Sequence, residues 1–104
     1  MAIIPRVITR VVTTAGTRVK LFNTRKEVAA VVIQAKSGNS GNIFVGDNQV
    51  SSTLGIKLVP GSNITLSNND VGSGEEGVDL SGVWLDTDSS ADGVMAMWME
   101  VSVA

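Results

Sequence analysis

Nearly every apolar run in this chain is short, rich in Val, Ile and Thr, interleaved with polar residues, and ended by Gly, Asn, Asp or Pro-Gly. A pattern of period two can bury one face only when the backbone is extended, so it confines the chain to strands and turns. Arg6 to Thr13 is a β-branched stretch that stops at Ala15-Gly16, and Thr17 to Phe22 alternates, with Val19 and Leu21 on one side and Arg18 and Lys20 on the other. Val28 to Lys36 is apolar on both faces for most of its length, as a strand covered on two sides would be. Asn42 to Val45, Ile56 to Val59, Ser62 to Leu66, Val78 to Leu80 and Val83 to Leu85 are further short strands. Pro60-Gly61 predicts a hairpin or a corner between sheets, and Ser81-Gly82 a bend. No segment carries a stripe of period 3.6. About eight short antiparallel strands with turn signals every ~8–12 residues predict an all-β fold, a small β-sandwich of jelly-roll type.

At 104 residues there is room for one core only. The expected division is an N-terminal arm over residues 1–5 and a sandwich domain over residues 6–104. Asn68 to Gly77, rich in Gly and acid, is expected to be the least ordered loop. Pro5, Arg6, Thr9 and Arg10 interrupt the apolar start, which argues against a signal peptide or a membrane span and for a soluble protein.

The net charge of −2 hides a segregation. Residues 1–36 carry seven cations and one acid, and residues 37–104 one cation and nine acids. One reading places N- and C-terminal strands side by side, neutralising each other across a sheet. The other is a subunit with a basic and an acidic face. The cations are scattered and not interleaved with aromatics, so no nucleic-acid partner is expected.

The chain has no Cys and no His, which removes disulfides, thiolate and Ser-His-Asp chemistry, and the commonest metal ligand. Acids cluster in loops beside Gly and Ser, with only two Phe and two Trp to line a sugar cleft, so no glycosidase pair is expected. Asp88-Ser89-Ser90-Ala91-Asp92-Gly93 matches the start of a calcium loop, but its twelfth position is Met99 rather than a bidentate Glu, and a tight turn explains it better. Residues 72–77 lack the Lys and the following helix of a phosphate loop. No enzyme, cofactor or metal is expected.

The last strand, Val94 to Val103, places Met95, Met97, Met99, Val101 and Val103 on one face and Val94, Ala96 and Trp98 on the other. Methionines on a strand face usually fill a core. Here both faces are apolar, and a sandwich of this size has one interior, so the second face calls for a packed loop or a neighbouring subunit. Trp98 is the expected anchor of such an interface, being of a type enriched there, and Trp84 is assigned to the core. The predicted interface set is Trp98, Met95, Met97 and Met99, with Ile3 and Ile4 of the arm and Arg6 and Arg10 of the basic half.

Three segments carry a resemblance: "IQAKSGNSGNIFVGD", "VSSTLGIKLVPGSNITL" and "VDLSGVWLDTDSSADGVMAMWM". A strand ending in Ala-Lys, a Gly/Asn loop, a Gly-Asn-Ile-aromatic-Val-Gly-Asp strand and a Gly-Ile-x-Leu-x-Pro-Gly turn follow one another. Over residues 28–99 this resembles small virion structural proteins of tailed bacteriophages. The resemblance implies a capsid decoration (cement) protein, a homo-oligomer with a trimer favoured. It would bind the major capsid protein on the virion surface after synthesis in the host cytoplasm. An alternative is a head-fibre or tail-associated module that binds the host surface or another virion protein; binding to host glycans would need an exposed aromatic among Phe22, Phe44, Trp84 and Trp98. A hydrolase or lyase on a jelly-roll scaffold is the remote third reading.

Overall fold

The first and last strands lie against each other over their whole lengths. In the computed structural model, which describes residues 2–67 and 77–102, β1 (Ala2–Val11) pairs antiparallel with β10 (Gly93–Ser102) from Ala2 opposite Ser102 to Val11 opposite Gly93. Inside this pair the rest of the chain is nested. β2 (Val19–Lys20) pairs with β9 (Trp84–Thr87), β3 (Glu27–Val28) with β8 (Val78–Asp79), β4 (Ala30–Ala35) with β7 (Asn63–Ser67), and β5 (Ile43–Gly46) with β6 (Ile56–Leu58). The chain is thus one long antiparallel ribbon whose tip is the β5–β6 connection.

Two further pairings roll that ribbon up. β10 also bonds β4, and β9 also bonds β5, giving a sheet of order β1-β10-β4-β7, a second of order β2-β9-β5-β6, and the short ribbon β3-β8. The eight strands of the two larger sheets form the expected jelly roll, and β3 and β8 make ten strands among the described residues. Pro60-Gly61 is a corner: it carries the chain from β6 in the second sheet to β7 in the first, with Gly61 at φ 85°, where a side chain would be strained.

Alternation along β4 and β10 aims Val31, Ile33 and Ala35, with Val94, Ala96 and Trp98, at the second sheet. There they join Ile43, Val45, Leu58 and Leu85 in one buried cluster. Leu21 and Leu80 close its ends; Leu80 opens a 3₁₀ turn, Leu80–Gly82, capped by Asp79.

The acid-rich turn before β10 works as a clamp. Asp92 is buried, and its two carboxylate oxygens accept from the backbone N–H groups of Ser40 (2.9 Å) and Gly41 (2.7 Å). Asp88 accepts from the Asn42 N–H at 2.7 Å, and Asn39 exchanges two hydrogen bonds with the Gly93 backbone. The carboxylates of the would-be calcium loop therefore fix the turn to residues 40–42. Among the described residues, no three acids gather as a metal-ligand cluster.

Two expectations change. Residues 2–5 do not stand apart as an arm but are the first part of β1, where Pro5 is tolerated because the strand is at a sheet edge. Trp84 does not join the core: Leu85 takes the inward position, leaving Trp84 partly exposed on the outer face. Residues 68–76 of the loop expected over Asn68 to Gly77 lie outside the described residues, as do Met1, Val103 and Ala104.

Trp98 is 4% exposed, packed edge-on against Phe22 at 5.7 Å between ring centroids. Trp98→Ala is expected to cost about 3–5 kcal/mol and Met99→Ala, from the open face of the same strand, no more than about 0.5 kcal/mol in urea unfolding of the dilute chain. Equal costs would contradict this assignment of the two faces.

Candidate subunit interface on the outer face of the long sheet

The parity that sends Trp98 inward sends Met95, Met97 and Met99 outward. On the same face, the register sets Met99 beside Pro5, Met97 between Val7 and Val32, and Met95 between Thr9 and Gln34. Ile3 and Val11 extend the face along β1. Ile3 is 66% exposed, Val7 60% and Met99 56%, and no described element covers them. Scattered apolar residues are ordinary on a surface, but a contiguous group is not. Beyond β4 the face turns polar, with Asn63, Thr65 and Ser67 on β7. No charged residue of the four strands projects from this side. The result is an uncharged, half-apolar sheet face bounded by the ten-residue edge strand β1, which has no partner strand on its far side among the described residues.

The charges of β1 and β10 all take the opposite parity. Glu100 sits on the inner side near the rim of the sandwich, and its carboxylate accepts from Arg6 Nε (3.0 Å), from the Trp98 indole N–H (3.1 Å) and from Lys26 Nζ. Arg10 Nε donates to the Lys20 carbonyl at 2.8 Å. Side-by-side neutralisation of N- and C-terminal strands is therefore what Glu100 shows.

The predicted interface residues divide accordingly. Met95, Met97, Met99 and Ile3 come together on the outer face. Ile4 is half-buried on the inner side. Arg6 and Arg10 each turn Nε to a partner within the chain, the Glu100 carboxylate and the Lys20 carbonyl. Trp98 belongs to the core, because its strand buries one face under the second sheet and that face holds the indole. Val7, Val11 and Val32 were missed. Their signal was present in β1, where Ile3, Pro5, Val7, Thr9 and Val11 form an uncharged parity and Arg6 and Arg10 occupy the other.

Lys26 foremost, then the Trp98 indole and Arg6, hold the Glu100 carboxyl down at about 2, against an ordinary 4.5. The folded state keeps Glu100 ionised to lower pH than the unfolded chain does. Its contribution is therefore complete above about pH 4.5 and is lost as pH falls toward about 2. Glu100→Gln, which still accepts from Trp98, is expected to flatten the fall of stability across that window in thermal unfolding. An unchanged acid limb would exclude Glu100 as a source of acid sensitivity.

No protein-family model, curated protein or solved structure matches the chain, and among the described residues no helix is long and apolar enough to cross a membrane.

Proposed function

We propose that this chain is a non-enzymatic structural subunit, a capsid decoration protein of a tailed bacteriophage that docks through the outer face of the β1-β10-β4-β7 sheet. The observation that carries the docking is the uncharged apolar face of Ile3, Val7, Met95, Met97 and Met99 beside the open edge of β1. The virion location is supported by the resemblance of residues 28–99 to small phage structural proteins.

Burying such a face on a partner removes apolar surface from water without leaving a charge unpaired, and the polar β7 side supplies the rim of an interface. Methionine side chains adapt to the surface they meet, which suits repeated contacts of slightly different geometry on a capsid lattice. A homotrimer would present the contact three times over, and a subunit that binds only the assembled shell stabilises it by mass action.

The test pairs light scattering on size-exclusion effluent with co-sedimentation on heads that lack the chain. The wild-type chain is expected to elute as a trimer, to bind heads and to raise their resistance to heat. Met97→Glu is expected to weaken head binding by about tenfold or more while moving the melting temperature of the isolated chain by no more than about 4 °C. Heads equally resistant with and without the chain, or undiminished binding by the variant, would contradict the proposal.

A further inference from the structure

The second sheet carries a different surface on its own outer face. Lys20 on β2, Trp84 on β9 and Gly46 on β5 stand in one row across it. Lys20 Nζ lies over the indole of Trp84, 5.7 Å from the ring centroid. On the other flank Gly46 has no side chain, and Val50 fills that space: a Cβ on Gly46 would come within 3.1 Å of it. Residues 16–18 and 48–49 rise on the two sides of the indole. They leave an open cleft of about 520 Å³ lined by Gly16, Thr17, Arg18, Asn48, Gln49 and Trp84, a volume within the range of small-ligand sites.

Both walls are held in place from beneath. The Gly16 N–H donates to the Asp86 carboxylate at 3.0 Å, and the Thr17 N–H to the Thr14 carbonyl. Across the cleft, the Gln49 N–H donates to the Asp47 carboxylate at 2.9 Å, and the Val50 N–H to the Asp47 carbonyl. These bonds also decide what the cleft can recognise. The N–H groups of Gly16, Thr17, Gln49 and Val50 are thus turned into the walls rather than toward a ligand, and the Asp86 and Asp47 carboxylates that hold the walls each accept through Oδ1. The side chains of Arg18, Asn48 and Gln49 remain. Arg18 has no ion-pair partner among the described residues.

We propose that this cleft binds a carboxylate-bearing oligosaccharide. The indole offers a flat, polarisable surface for the C–H face of a pyranose ring. The amides of Asn48 and Gln49 each provide donors and an acceptor, as a hydroxyl requires. The Arg18 guanidinium is the planar fork that matches a carboxylate, and Lys20 adds a second positive charge. One aromatic and two cations do not make the continuous track that a single-stranded nucleic acid needs. Of the four aromatics, Phe44 and Trp98 are buried and Phe22 packs against Trp98, which leaves Trp84 as the platform. The cleft lies on the opposite side of the sandwich from the Met face, so a chain docked through that face would present Trp84 to the surroundings. The binding itself does not depend on that docking.

The two tryptophans give two indole N–H signals in ¹H–¹⁵N NMR spectra, one from the cleft and one from the core. Trigalacturonate is expected to shift the Trp84 indole and the Asn48 and Gln49 side-chain amides saturably, leaving Trp98 in place. Arg18→Ala, an exposed change, is expected to weaken the effect about tenfold, the scale of one charge-assisted contact, and Trp84→Ala to abolish it. Maltotriose, neutral and of equal length, is expected to bind at least about tenfold more weakly. Met97→Glu should bind trigalacturonate like the wild type. A Trp84 signal unmoved at about 10 mM trigalacturonate, a weak limit on the affinity scale, would overturn the proposal. Equal affinity for maltotriose, or tighter binding of an oligothymidylate, would overturn it as well.

Discussion

Everything in this fold depends on the first strand finding the last. β1 and β10 pair over ten residues each, and every other ribbon pairing lies within that closure. Among the described residues, only the β5–β6 pairing joins strands consecutive in the sequence, so most of the loop-closure entropy must be offset by contacts between distant segments. Such a topology folds slowly compared with one built from local contacts. It also explains the charge segregation. In a nested ribbon the N-terminal half pairs with the C-terminal half, so a basic first third and an acidic remainder become neighbours, and Glu100 gathers Arg6 and Lys26.

The closure also fixes parity, and parity distributes function. A slip of one residue between β1 and β10 would turn Trp98 and Ala96 to solvent and drive the methionines inward, so the register is determined by which face fits the second sheet. Trp98 sets it most firmly, through its burial, the Phe22 ring and the indole bond to Glu100. Once that face is inside, the apolar residues of the other parity have no place in the single interior. They become the outer face of the long sheet, next to an edge that no strand pairs among the described residues.

Much of the architecture was legible because period-two patterning and turn residues are local signals. The sandwich, Pro60-Gly61 as a hairpin or corner, and the turn role of Asp88 to Gly93 could all be read from the sequence. The outward placement of the methionines and the inward placement of Trp98 could not. Val94 to Val103 is apolar on both parities, and only the shape of the second sheet decides which one is buried. Trp84 was misassigned for a related reason. Its neighbours Val83 and Leu85 satisfy the interior, and the loops that make a cleft around it are distant in sequence. The residues of β1 that complete the outer face are separated from the Met stripe by most of the chain, and only pairing with β10 shows that they share a surface.

On the proposed function, the Met95–Met97–Met99 face is where this chain meets its partner. Peroxide footprinting read by mass spectrometry tests it directly, because thioether oxidation follows exposure. All three methionines are expected to oxidise readily in the dilute chain and to be protected together once the chain is bound to heads. Equal oxidation rates in the free and head-bound chain would show that the face stays open to solvent after binding, and would contradict it.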